Sequence, residues 1–308
     1  MSSSGPHLVG IDWGTTNRRG YAVDAAGRCL REHADDQGML ASAGRFDEAL
    51  HDLLAALEAD APEVPVIMSG MVGARQGWRE ARYLDVSVPL TAISDHLTAV
   101  DSTSTPARRC AIVPGYRFDG AAGAVDVLRG EETQLLGAVL LGRPSGWFVL
   151  PGTHSKWVLL HEGRIIRFAT YLSGELFALL TSHGTLAPLM QAPVDTPRAF
   201  AHGLELAGDS ALSNALFGCR ARVVAGEMPA SDARAFLSGL LIGAEWHDMR
   251  RRAGDEAPRS VTLIGSAELE DRHAAAGRLL GIAVERLDPR DAYLAALAAL
   301  ADLAPRRN

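Results

Sequence analysis

Leu8-Val-Gly-Ile-Asp-Trp-Gly-Thr-Thr-Asn-Arg-Arg-Gly-Tyr-Ala-Val23 decides how this chain is read. The apolar run Leu8 to Ile11 predicts a buried strand that ends in Asp12. A Gly14-Thr-Thr-Asn17 turn follows, and a second run, Tyr21 to Val23, leads into the hairpin signal Asp24-Ala-Ala-Gly27. An acid at a strand end beside a small-residue turn suits a metal–phosphate ligand. Its carboxylate can hold a hydrated Mg²⁺ while backbone N–H groups and threonine hydroxyls cradle anionic oxygens. The same residues also fit an ordinary hairpin with a solvated aspartate, so the rest of the chain has to decide.

Further along, a strand at 28–31, an amphipathic helix at 45–59 and a strand at 64–68 give the outline β-β-β-α-β. The helix carries Phe46, Ala49, Leu50, Leu53, Leu54 and Leu57 at helical spacing. The last of these strands runs into Ser69-Gly-Met-Val-Gly73, a glycine-broken turn with Arg75, Gln76 and Trp78 just beyond. Short strands are expected at 86–90 and 110–113, an exposed loop at 101–106, and an excursion toward a cleft at 114–123. A buried helix begins near Leu135, with the acidic pair Glu131–Glu132 at its start. Such acids ordinarily serve the helix dipole; the functional alternative is a general base.

The second half repeats this outline. The strand Trp147–Leu150 ends in Pro151-Gly-Thr-His-Ser-Lys156, strands follow at 157–160 and 164–169, and then a helix with Leu176, Phe177, Leu179 and Leu180. Two such units about half a chain apart predict duplicated domains. The stretch 195–248 reads as largely helical, with Phe236-Leu-Ser-Gly-Leu-Leu-Ile-Gly-Ala244 packing through its small residues. A charged loop is expected at 250–258. The strand Val261–Ile264 then ends in Gly265-Ser-Ala267 before a helix at 268–280, a strand at 282–284 and a terminal helix at 293–303.

The 308 residues suffice for one large domain or two ordinary ones, and 47% hydrophobic with 22% charged residues is the balance of a globular protein with a full core. A formal net charge of −7 argues against nucleic acid or an anionic membrane as the main partner. Cys29, Cys110 and Cys219 form no C-x-x-C and read as buried thiols of a reducing cytoplasm. The start of the chain shows no signal-peptide pattern, and no apolar stretch is long enough to span a bilayer. Lys156 is the only lysine, a sign that a compact ammonium is wanted there, with chance survival the competing explanation.

Three glycine turns therefore each follow a strand: Gly14-Thr-Thr, Gly152-Thr-His and Gly265-Ser. Two would grip nucleotide phosphates and the third would let an adenosine approach the backbone. In this order and spacing the chain resembles the actin, sugar-kinase and heat-shock-protein ATPase superfamily. Within it, the chain is similar to the 2-dehydro-3-deoxygalactonokinase family. The carrying residues are Ile11-Asp-Trp-Gly-Thr-Thr-Asn17, Ser69-Gly-Met-Val-Gly-Ala-Arg-Gln-Gly-Trp78, Arg129-Gly-Glu-Glu-Thr-Gln134, Leu150-Pro-Gly-Thr-His-Ser-Lys-Trp157 and Ser238-Gly-Leu-Leu-Ile-Gly-Ala-Glu245. Gly265-Ser266 departs from the Gly-Gly often found in related kinases.

The resemblance implies an α/β fold of two RNase H-like (actin-like ATPase) domains, 1–142 and 143–308, with mixed sheets flanked by helices and the active site in an interdomain cleft. It implies ATP-dependent, Mg²⁺-assisted phosphorylation of 2-dehydro-3-deoxy-D-galactonate at its terminal hydroxyl, in galactonate catabolism. The implied roles are Asp12 for the metal; Gly14, Thr15, Thr16, Gly152, Thr153, His154, Gly265 and Ser266 for the nucleotide; and Lys156 as a charge stabiliser. Glu132 is the first choice of base and Glu131 the second. Asn17, Arg19, Arg75, Gln76, Trp78 and Arg129 are substrate-binding candidates, with Arg75 first for the substrate carboxylate. A homodimer is left open. The competing expectations are a kinase for another sugar acid or ketose, and a non-catalytic nucleotide-dependent sugar sensor on the same fold.

Overall fold

A computed structural model describes residues 5–103, 106–120, 124–190 and 194–300. The chain divides into two compact units: Met1–Ser145 with Leu159–Phe168 and Asp288–Asn308, and Gly146–Val158 with Ala169–Leu287.

In the first unit β1 (Leu8–Trp13), β2 (Arg18–Val23) and β3 (Cys29–Asp35) form an antiparallel meander. β4 (Val66–Gly70) and β7 (Cys110–Ile112) extend it in parallel, and β6 (Thr98–Val100) closes it, in the order β3-β2-β1-β4-β7-β6. β1 is central and buried along nearly its whole length. Val9, Ile11 and Trp13 pack with Phe46, Leu50, Leu53 and Leu54 of α1 (Phe46–Ala56), whose apolar residues fall on one face. The other face of the strand meets α8 (Pro289–Leu300), where Leu297 fills the space beside Gly10. α8 also packs on α2 (Glu131–Leu140).

A second sheet in this unit, β5-β8-β9, consists of Tyr83–Asp85, Gly115–Asp119 and Val125–Leu128. It corrects two expectations. Residues 86–90 are not a strand: Asp85 accepts the Ser87 N–H at 2.9 Å and the Val88 N–H at 3.0 Å, and Pro89 leads into a 3₁₀ turn at Leu90–His96. The excursion at 114–123 is instead β8, a paired strand, with 121–123 outside the described residues.

A five-stranded sheet contains β10 (Gly146–Leu150), β11 (Ser155–His161), β12 (Arg164–Tyr171), β13 (Ser260–Leu263) and β14 (Ala283–Arg286), in the order β12-β11-β10-β13-β14; all of it but Leu159–Phe168 falls in the second unit. Strand for strand this matches β3-β2-β1-β4-β7, with β10, β13 and β14 parallel. α6 (Ala233–Ala253) is the core helix, with Phe236, Leu237, Leu240 and Leu241 buried against α4 (Pro197–Asp209), α5 (Leu212–Val224) and α3 (Ser173–Ser182). A Cβ at Gly239 would stand 1.9 Å from the Phe200 carbonyl oxygen, the close crossing that the small residues predicted.

The charged loop expected at 250–258 starts later. Arg250–Ala253 complete α6, because Arg251 and Arg252 pair with Asp248 and three arginines suit a helix C-terminus; the helix stops at Gly254. α7 (Ala267–Leu280) follows β13. The terminal helix is described to Leu300, and the remainder of its expected span lies outside the described residues. Cys110 and Cys219 are buried as expected; Cys29, on outer strand β3, is half-buried, a correction to the reading of all three thiols as core.

Candidate active site

At the end of β1, Asp12 lies opposite Arg19 on β2 and Ser69 on β4. Its carboxyl is pushed up to about 6, by burial first and by the Glu131 charge second, while Arg19 opposes the rise. Two carboxylates thus share one corner, an arrangement a cation relieves. The corner closes because β4 ends in Gly70 at φ 89°, where a side chain would strike the Trp13 carbonyl at 2.7 Å. Gly130, ahead of α2, approaches Gly70 to 3.2 Å measured from an added Cβ.

Glu131 and Glu132 both turn back on the loop before their helix. Glu131 Oε2 accepts the Arg129 N–H at 3.0 Å, and Glu132 Oε2 accepts the Gly130 N–H at 2.7 Å. Their surroundings differ. Glu131 is half-buried, whereas Glu132 is 0% exposed and its carboxyl is pushed up to about 8, chiefly by burial. Tyr116 and Tyr293 both sense the Glu132 charge, and Tyr293 also hydrogen-bonds Ser69 Oγ at 2.9 Å.

Thr15, Thr16 and Asn17 are exposed, and the Gly14 N–H closes the turn onto the Asn17 carbonyl at 2.9 Å. Among the substrate-binding candidates, Arg75 and Gln76 are exposed on the turn after β4. Arg129 Nη2 donates to the Ala81 carbonyl at 2.7 Å and the guanidinium lies 4.3 Å from the Tyr83 ring, while its buried Nη1 completes no hydrogen bond among the described residues. Arg19 is exposed and lies 3.6 Å from Glu32. Trp78 stacks on Phe46 at 6.2 Å and meets Trp13 edge-on, so it packs against the core behind the first turn.

In the second unit the Gly152–His154 turn rests on the start of α3. The Glu175 N–H donates to the Thr153 carbonyl at 2.9 Å, and His154 Nε2 lies 2.6 Å from Glu175 Oε2. Lys156 is buried, and its Nζ donates to the His154 carbonyl at 3.2 Å. The third turn adjoins the second: an added Cβ at Gly265 would meet the Pro151 ring at 2.9 Å, and the Gly265 N–H donates to Glu270 at 3.2 Å. Gly152, Ser173, Ser238, Glu245 and Arg272 line a cavity of about 80 Å³ beside these two turns.

Sequence reasoning missed what lies beneath the turns. Glu245 is buried, with its carboxyl pushed up to about 7 by burial, opposed by donors on Ser155, Trp157 and Ser173. Trp157 Nε1 donates to Oε2 at 3.1 Å; Oε1 and Ser155 Oγ complete no hydrogen bond of ordinary geometry among the described residues. His273, held low at about 3 by burial, lies 3.5 Å from Oε1 and accepts the Trp246 N–H at 3.2 Å. The segment 35–40, which underlies the first turn, also went unnoticed. Glu245 did stand in a motif already singled out; the 35–40 segment had no chemical signal.

Duplicated sheets of this order, each with a glycine turn after its first strand, define the class as an actin-like ATPase fold of the sugar-kinase kind. A family model described as 2-keto-3-deoxy-galactonokinase matches residues 12–300, and the chain belongs to that family. It is 36% identical to the Rhizobium meliloti (strain 1021) protein named Probable 2-dehydro-3-deoxygalactonokinase DgoK1, over 98% of each chain. It is 34% identical to the 2-dehydro-3-deoxygalactonokinase of Escherichia coli (strain K12), over 95% of this chain and 97% of that one. A Sinorhizobium meliloti crystal structure, whose name assigns it provisionally to the same activity, superposes with a TM-score of 0.87 at 34% identity, covering 98% of each chain.

Proposed function

We propose that this chain is a kinase that transfers the γ-phosphoryl group of ATP to the terminal hydroxyl of 2-dehydro-3-deoxy-D-galactonate, releasing ADP and the 6-phosphate. The observation that carries this reading is the family match over residues 12–300. Catalysis of phosphoryl transfer is mostly positioning plus stabilisation of charge on the transferring group. A base takes the proton of the hydroxyl, whose oxygen forms the new P–O bond as the bond to the β-phosphate bridging oxygen breaks.

Glu131 is the better base of the acidic pair. Its partial exposure and its closeness in charge to Asp12 support that role. Glu132, buried and with its carboxyl pushed up by that burial, supports the loop by accepting the Gly130 N–H. Thr15, Thr16, Thr153 and His154 would take phosphate oxygens, Lys156 would add positive charge to the second turn, and Gly265 with Ser266 would leave room for adenosine. We take the first set as the work of an amino-terminal domain, 1–142, and the second as that of a carboxy-terminal one, 143–308.

Magnesium fits the donor set. Mg²⁺ is commonly held by one or two carboxylates together with water and phosphate oxygens, and Asp12 offers a hard oxygen ligand in a corner where the nearby Glu131 charge makes a cation favourable. When bound it would neutralise phosphate charge. Arg75, exposed and not committed to a neighbour in the way Arg129 is, suits the substrate carboxylate with its planar fork; Gln76, Asn17 and Arg19 would address hydroxyls.

Among the described residues no helix is long and apolar enough to cross a membrane, and we place the reaction in the cytoplasm, where ATP is supplied. A homodimer would be tested by light scattering. Coupled ADP release against a panel of sugar acids tests the main reading. Turnover with 2-dehydro-3-deoxygalactonate well above that with its gluconate epimer is the expected result; preference for another sugar acid or ketose would move the assignment, and nucleotide binding without turnover would favour a sensor.

A further inference from the structure

The Gly14–Asn17 turn is held from behind by a segment with no assigned role. The Gly38, Met39 and Leu40 N–H groups donate to the carbonyls of Thr16, Gly14 and Thr15 at 3.1, 2.9 and 3.1 Å. The segment is itself anchored. Trp13 Nε1 donates to the Gln37 carbonyl at 3.0 Å, and Asp35 accepts the Gln37 N–H at 3.0 Å while pairing with Arg18 at 2.9 Å. Three consecutive carbonyls of the turn are therefore drawn to one side.

In a planar trans peptide the N–H points opposite to the C=O. Fixing the carbonyls of Gly14, Thr15 and Thr16 therefore aims the N–H groups of Thr15, Thr16 and Asn17 away from the segment. Successive N–H groups so aligned make an anion-binding concavity, whereas carbonyls turned the same way would repel an anion. Contact between the two segments is tight. A Cβ at Gly38 would lie 2.3 Å from the Thr16 carbonyl carbon, 2.6 Å from the Asn17 nitrogen and 2.7 Å from the Thr15 carbonyl carbon. The φ of Gly38 lies outside the left-handed region, so the need for glycine there is steric.

We propose that Gln37–Leu40 is a positioning strap for the phosphate turn and that Gly38 is its positioning residue, presenting the turn's amides to the phosphates of a nucleotide. The proposal rests on reading that turn as part of the ATP site. Gly38→Ala would push the turn outward, and misplacement of about 1 Å at such a site can cost up to about 100-fold.

The test measures binding of the imido analogue of ATP with magnesium by calorimetry, then KM for ATP and for the sugar acid separately. Gly38→Ala is expected to weaken analogue binding and raise KM for ATP by about tenfold, with a smaller rise in KM for the sugar acid through Asn17. Trp13→Phe, which keeps a packed ring but loses the bond to Gln37, is expected to do the same by about threefold. A folded Gly38→Ala protein that binds the analogue as tightly as wild type, or that raises both KM values equally, overturns the proposal. If that variant does not fold, Trp13→Phe decides in the same way. Wild-type protein that binds the analogue but turns over no sugar acid contradicts the kinase reading instead, and the binding comparison still judges the strap.

Discussion

The two phosphate-type turns follow equivalent strands but are held by different means. Gly14–Asn17 is fixed by backbone, with three peptide N–H groups of the strap closing on three carbonyls. Gly152–His154 is held by one backbone bond, from the Glu175 N–H to the Thr153 carbonyl, and by side chains: the Glu175 carboxylate beside His154 and the Lys156 ammonium on the His154 carbonyl, with Glu245 beneath the adjoining Ser155 and Ser173. A backbone clamp is insensitive to pH and to most substitutions except at the point of closest approach. A side-chain clamp can be tuned and titrated. One fold thus carries a rigid turn beside its acidic corner and an adjustable turn in the unit that we assign to adenosine.

Substitutions can sharpen or break that contrast. The largest effect belongs to the acidic corner beside the rigid turn. Glu131→Gln should lower kcat by roughly 10²–10⁴-fold, while Glu132→Gln, isosteric with the buried carboxyl, should lower it by less than about tenfold. Steady-state rates of the two variants decide, and the reverse order would return the base to Glu132. Next, Arg75→Ala should raise KM for the sugar acid by about tenfold, as expected for a lost charge-assisted contact, and leave KM for ATP nearly unchanged.

Under the adjustable turn, Glu245 has its folded pKa raised from 4.5 to about 7. Stability linked to this group is therefore fully present below about pH 4.5 and is lost as pH rises through about 7. Glu245→Gln should then raise the melting temperature at pH 8 by several degrees, a gain that fades by pH 5, as thermal melts across that range would show. An unchanged difference between the two pH values would mean that Glu245 is not buried and strained as described. The smallest effect is expected at His154 and Glu175, whose side chains are 46% and 45% exposed. Removing this pair with Glu175→Gln should change KM for ATP by less than about threefold, because exposed ion pairs contribute little.

Much of this was legible in the sequence where the signal is local. The apolar run closed by Asp12, the glycine turns and their repetition predict the strands and hairpin that open each half, because each depends on residues adjacent in the chain. The same locality misled at 86–90, where an apolar alternation was outweighed by the Asp85 turn and Pro89. The strap escaped notice because its bonds join backbone groups more than twenty residues apart, and no side-chain pattern announces them. The unequal burial of Glu131 and Glu132 was equally hidden. Glu132 lies near enough to Tyr116 and to Tyr293 on α8 for both to feel its charge, a proximity no local pattern announces. The stacking of Trp78 on Phe46 was hidden too, because it depends on how α1 returns to the sheet.

The central claim is transfer of phosphate to the terminal hydroxyl of the sugar acid, and the product tests it most directly. After incubation of the full chain with ATP, magnesium and 2-dehydro-3-deoxygalactonate, the proton-coupled phosphorus spectrum of the new ester should show a triplet, because phosphorus on a primary alcohol couples to two methylene protons. A doublet would place the phosphate on a secondary hydroxyl and contradict the account, as would ADP formation with no phosphate ester at all.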